Sequence, residues 1–494
     1  MRLRGFFALL LLLGLATPVA AGPVDLFGPS VRSAGLAGGG WALEDGAAGL
    51  TVQAAALGLG ERDDFRLQYL GGQVWLDPVS GLTRLDGFSG ETPHVSIQPS
   101  TLVADFSKGI TPWLRAGVHV SLSLPWMYSM ETKDPWVPYS MRWQNRIGRS
   151  LATAGFSVKL PVRGLKELNA ARSGGLWIGA SLSIRPHGII DVDLDLEGVS
   201  GPDGGAVEAT LSEVVLSAKY VIRPQLSVLA DFGVITQKLE GLRVGFSYLP
   251  ESTTNIDPIR LDVAVLGLGE VNAVFALIDR LEAQVALGVT DFYDPHQFHI
   301  SLAVERPRFA LSADLKVALW SQLAASYGRV VEAETSELVV TFGTGVSEVF
   351  PVVSGRFVGE GNFRDTVEAM FGGEGRIPVA GAPRVGTEVR LRGGLRYMQG
   401  VVQPNAGPLA TLDGDALSAS FGLGVLLPVK HANTRLGPLK IDWALQGTRL
   451  LGQDLPKTAE GVSGVRDLPV QWEDGAEWSG GWALVSGVSV GLGF

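Results

Sequence analysis

Three arginines, Arg390, Arg392 and Arg396, stand at i, i+2 and i+6 in a run where charged and apolar residues alternate. Guanidinium groups are planar donor forks that pair carboxylates bidentately. Strand residues an even number apart share a face, so the three would line one strip of wall able to hold an anionic head group. A second constellation is aromatic. Trp126, Tyr128, Trp136, Tyr139 and Trp143 crowd a stretch that also holds Met127, Met130 and Met141, with Pro125, Pro135 and Pro138. Such residues in a proline-interrupted loop make a greasy landing surface for a hydrophobic molecule, or a loop packed on a rim or dipping into lipid. Phe27 is a further candidate for holding a ligand's apolar part.

Other chemistry is poorly supported. His119 and His299 share the parity of the charged residues, with serines around them, but no nucleophile-elbow motif and no HExxH spacing occurs. Residues 35–40 are glycine-rich, yet no Lys-Ser/Thr follows as a phosphate-cradling loop requires. The chain has no cysteine, which removes disulfides and thiolate metal sites. The sequence therefore predicts no enzyme, no metal and no cofactor.

The elements that must position these residues are strands. In the carboxy-terminal residues 482–494, Trp482, Leu484, Val488, Val490, Leu492 and Phe494 fall on one face, broken only by Ser486. Ala483, Val485, Gly487, Ser489, Gly491 and Gly493 fall on the other, giving a ribbon with one greasy and one small or polar side. The same alternation runs through Leu114 to Leu124, Leu176 to Ile184, Phe309 to Leu319, Val389 to Tyr397 and Leu417 to Leu427. Such runs match a tilted membrane-crossing strand of about 9–11 residues. Soluble strands are shorter, at about 5–6 residues.

Parity then sorts the charges. The lipid-facing set carries almost none, whereas Arg115, His119, Lys159, Arg185, Arg243, His299, Asp314, Lys316, Arg390, Arg392, Arg396 and Asp442 face the lumen. Asp314 and Lys316 read as a structural pair, and the others as anion anchors or as charges paired with lumen acids. Trp113, Trp126, Tyr128, Tyr248, Trp320, Tyr397 and Trp482 lie near strand ends, where interfacial girdles form. Residues 206–290 resist division into strands; residues 270–287 could be a helix or a strand pair.

The bulk properties agree. Arg2 and Arg4, an apolar stretch at 6–16 and small residues before Gly22 predict a signal peptide over 1–21. No later segment approaches the roughly 20 apolar residues of a spanning helix, although mean hydropathy is +0.23. Removing Arg2 and Arg4 from the 40 basic residues leaves 38 against 50 acidic ones, which argues against nucleic acid as a partner. The 65 glycines show no collagen period and recur inside alternating runs, on the lumen side or at bends.

Residues 26–57, LFGPSVRSAGLAGGGWALEDGAAGLTVQAAAL, resemble the opening of the FadL/TodX family of outer-membrane transporters for hydrophobic compounds. Gly35, Gly38, Gly39 and Gly40 match its glycine-rich stretch; Ala42, Leu43, Glu44, Asp45 and Ala47 match the acidic run that follows. Gln53, Ala54 and Ala55 depart from the family's Asn-Pro-Ala. Pro295 to Ser301, Leu311 to Lys316 with Trp320 and Ser321, and Leu391 to Tyr397 with Pro404 are similar to later family segments, in order. The aromatic Phe494 terminus resembles the signal read by barrel assembly machinery.

The resemblance implies an all-β transmembrane antiparallel barrel of about fourteen strands. Residues 22–60 would form a hatch inside a barrel of residues 61–494. It further implies a monomer in outer-membrane lipid that captures a hydrophobic small molecule, a fatty acid or hydrocarbon, from outside. Release would be lateral or through a gap beside the hatch. A related barrel could serve instead as a structural or assembly component of an envelope or secretion system.

Overall fold

The computed structural model describes residues 28–80, 82–83, 89–90, 94–124, 151–161, 174–199, 206–266, 278–323, 330–342, 347–350, 355–358, 364–379, 386–401, 414–429, 437–455 and 476–494. Phe27, Trp126, Tyr128, Trp136 and Tyr139 and the signal segment lie outside these residues.

Fourteen strands form the barrel. They are β1 (Asp64–Leu76), β2 (Ser100–Thr111), β3 (Leu114–Leu124), β4 (Leu151–Leu160), β5 (Gly175–Val199), β6 (Ala206–Asp231) and β7 (Leu242–Leu249). The circuit continues through β8 (Gln297–Arg306), β9 (Phe309–Ala318), β10 (Thr366–Pro378), β11 (Glu388–Met398), β12 (Ala416–Leu427), β13 (Leu439–Leu455) and β14 (Ala476–Gly493). Every stave pairs antiparallel with its neighbours in chain order. Closure comes from β1 against β14, running from Asp64↔Gly493 to Leu76↔Gly481. A closed ladder leaves no strand edge to hydrogen-bond in lipid, where an unpaired backbone group costs several kcal/mol.

The parity reading holds throughout the described staves. Leu102, Phe156, Leu182, Leu226, Phe246, Leu302, Phe371, Leu395, Phe421 and Leu484 are exposed on the outer surface. Thr101, Asp105, His119, Thr153, Ser181, Gln225, Ser301, Glu374, Arg392, Thr448 and Ser489, on the opposite faces, are buried. This is the reverse of a soluble protein, and it is what lipid as solvent selects. Trp113, Trp75 and Tyr397 are exposed at or next to stave ends, whereas Trp482, Tyr69 and Tyr220 are exposed well within their strands. Among the described residues no helix is long and apolar enough to cross a membrane.

The region that resisted division contains strands that run on past the barrel. β5 and β6 pair along their length, residues 175–199 with 206–231, with a bulge at Leu211/Glu213. Beyond β7, Ser252–Leu266 pairs with Ile278–Asp294, which leads into β8. Pro250 and Pro295 mark the junctions in this hairpin; proline has no N–H to give the ladder. Arg223 of β6 donates to both proline carbonyls, at 2.8 and 2.6 Å. Ser252–Leu266 runs parallel to the far part of β5, and Ile278–Asp294 pairs with Val330–Phe342, so these extensions form one sheet at the long-hairpin end. Of the two readings for residues 270–287, strand is therefore correct from Ile278 onward.

Candidate ligand chamber

Residues 28–60 are almost entirely buried and pack against inward side chains from most of the barrel circumference. A short helix, α1 (Val31–Ala34), is capped by Ser30, whose Oγ accepts from Ser33 N at 3.0 Å and donates to Glu44. Gly38 and Gly40 follow with positive φ, and Gly40 N donates to Asp314 Oδ2 at 2.7 Å. Three 3-10 turns, Trp41–Leu43, Ala47–Thr51 and Ala54–Leu59, complete the segment. The last starts after Gln53, where the resemblance to the FadL/TodX opening breaks off. Gln53 instead stitches the turn to the wall, donating to Val228 O at 2.8 Å and accepting from Ser247 Oγ.

Further bonds fasten the segment. Val31 N donates to Gln68 at 2.8 Å, Ser181 Oγ to Leu50 O at 2.7 Å and Ser157 Oγ to Ala55 O at 2.9 Å. Backbone lies directly on wall at two glycines: a Cβ at Gly394 would stand 2.4 Å from Leu36 C, and one at Gly179 2.2 Å from Ala55 N. Larger residues there would hold the segment off the wall.

Ion pairs also tie the segment to the wall. Arg66 of β1 reaches Glu44 at 3.0 Å and Asp45 at 2.8 Å. Arg32 meets Glu374 of β10 at 3.3 Å and donates to Leu43 O at 2.7 Å. Glu374 also takes Arg392 at 2.8 Å and Arg376 at 2.9 Å, and Arg392 continues to Asp442 at 2.6 Å. Asp314 and Lys316 do not pair. Asp314 holds the glycine turn, while Lys316 goes to Glu368 at 3.1 Å on the adjacent strand, because inter-strand register puts Glu368 beside it.

The three arginines share one face of β11 but not one site. Six residues of strand cover about 20 Å, so Arg390 sits near one end with Glu388 at 2.6 Å, and Arg392 lies under the segment. Arg396, paired with Glu368 at 2.5 Å, reaches a cavity of about 60 Å³ on the long-hairpin side of the segment. That cavity is lined by Pro29, Trp41 and Val52 from the segment and by Leu151, Leu249 and Met370 from the wall. Arg185, Arg223, Lys316 and Arg396 also line it, with Asp294 and Glu368. Arg185 and Arg223 share Asp294, the latter at 3.4 Å. Trp41 lies against His299, centroids 4.6 Å apart.

Glu368 and Glu374 organise these cations and were not singled out from sequence, although their parity on β10 places them inward. Glu44, Asp45 and Gln53 were noted only as a motif and its departure; their partners are set by tertiary register. Among the described residues no cluster of His, Asp and Glu is arranged to hold a metal ion.

Fold and lining define a closed transmembrane β-barrel with an occupied, charged lumen. Comparison with solved structures finds chains that align over most of this length. The chain is similar to a FadL homologue of Pseudomonas aeruginosa, at 13% identity over 97% of this chain and 98% of that one, TM-score 0.49. It is also similar to the toluene transporters TodX of Pseudomonas putida (15% identity, 95% and 99% covered, TM-score 0.43) and TbuX of Ralstonia pickettii (14%, 96% and 98%, 0.43). No protein-family model matches, and no curated protein matches in sequence.

Proposed function

We propose that this chain is an outer-membrane channel for hydrophobic compounds, with fatty acids as the substrate class, and that residues 22–60 act as its hatch. The observation that carries this reading is the chamber lining, in which Trp41, Val52, Leu151, Leu249 and Met370 stand beside four cations. An apolar tail and a carboxylate head match such a surface, with Arg396 as the head-group anchor. The aromatic stretch around Trp126, Tyr128, Trp136 and Tyr139 would collect the ligand, and Phe27 would contact its tail. A cavity of about 60 Å³ is far below the roughly 300–1,000 Å³ of a ligand pocket. Loading therefore requires the Pro29 and Thr51–Val52 edges of the hatch to yield.

A scaffold role in the envelope has one supporting observation, the sheet beyond the barrel formed by residues 252–294 with the far parts of β5 and β6. Equilibrium binding to the purified barrel separates the readings. A channel should bind laurate, and Arg396→Gln should weaken laurate by about tenfold while leaving dodecane unchanged. Equal loss for both would remove Arg396 from the head-group role; no binding of either would favour the scaffold.

A further inference from the structure

At the opposite end of the barrel, where β1 begins and β14 ends, a second cavity of about 600 Å³ opens beside the exit of residues 58–60 from the lumen. Its size is within the range of ligand sites. Trp177 walls it on the inside, and Ile110 near the end of β2 with Pro112 and Trp113 of the β2–β3 turn form its apolar mouth.

Two cations face this space. Arg115 is 8% exposed; one of its Nη atoms donates to Arg62 O at 2.5 Å, and its Nε is buried without a hydrogen-bond partner. Lys159 places Nζ 5.2 Å from the centroid of the Trp177 ring, and among the described residues no carboxylate pairs with it. Of the acids at the cavity, Asp63 accepts from Gly109 N at 2.7 Å, and Glu61 is exposed at the rim. With Arg115 and Lys159 both lining this space, a carboxylate is the head group that could pair with either cation.

We propose that this cavity is a second ligand site, an exit-side station for a carboxylate that carries an apolar tail. Arg115 and Lys159 take the carboxylate, and Trp177, Ile110, Pro112 and Trp113 take the tail. A ligand that passes the hatch thus meets a holding site before it leaves the barrel. The proposal rests on the reading of this chain as a channel for hydrophobic compounds, but its test is separate.

The test is photo-crosslinking of the intact barrel with a diazirine-bearing palmitate, followed by mass spectrometry of the labelled fragments. Label on the fragments carrying Trp113 and Trp177, displaced by excess palmitate, is the expected result. Lys159→Gln should reduce that label about tenfold without changing label elsewhere. Label confined to the Trp41 side of the hatch would overturn the exit station and leave the channel reading intact. Undiminished label in Lys159→Gln would remove Lys159 from the site. No label anywhere would count against both.

Discussion

Arg32 and Glu374 face each other across 342 positions of sequence, their charged groups 3.3 Å apart. This contact joins the lumen segment to the barrel wall, and Glu374 shares its charge with Arg392 and Arg376. Both side chains of the pair are buried, with Glu374 at 0%.

Removing that carboxylate strands arginines that cannot shed their charge. Glu374→Gln should destabilise the protein by about 3–5 kcal/mol, the usual result of breaking one side of a buried pair. Denaturant unfolding in detergent checks the magnitude. Faster protease cleavage between Gly28 and Gly60 checks that the segment loosens first.

The glycines of β10 and β11 give a sided prediction. Gly372 pairs with Gly394, and Gly373 with Gly393, so one pair faces the lumen segment and the next faces lipid. Gly394→Val drives a Cβ to within 2.4 Å of Leu36 C and should displace the segment, raising ion conductance in planar bilayers. For Gly393→Val the nearest atom is Ser420 O at 3.7 Å, an ordinary contact, and conductance should stay at the wild-type level.

Depth in the membrane should decide the cost of a charge on the outer face. Phe421, opposite Gly393 near the middle of its stave, should cost about 2–4 kcal/mol as Phe421→Arg. Leu417, near the stave end, should cost about 0–1 kcal/mol as Leu417→Arg. Unfolding from lipid vesicles measures both, and equal costs would contradict the placement of the apolar band.

The barrel was legible in sequence because side-chain parity is a local property. Phe494 and its alternating neighbours reveal a lipid face, and the same rule places Arg115, His119 and Arg396 inside without knowledge of any partner. Register between strands is not local. Lys316 shares its face with Asp314, yet pairs with Glu368, a residue of the adjacent stave. The arginine strip of β11 forms one face, but its three members meet different carboxylates, because six strand residues reach from one end of the lumen toward the other. Residues 206–290 resisted division because their strands outrun the membrane, and length alone does not show where the barrel stops. Pro250 and Pro295, directly beyond β7 and before β8, were the available signal.

Uptake by cells bears most directly on the channel itself. In a host strain lacking its own route for fatty acids across the outer membrane, expression of this chain should give saturable accumulation of labelled oleate. Arg396→Gln should lower that rate while the barrel level in the membrane is unchanged. Accumulation no faster than in the empty strain, with the barrel present and folded, would contradict fatty acids as the cargo of this channel.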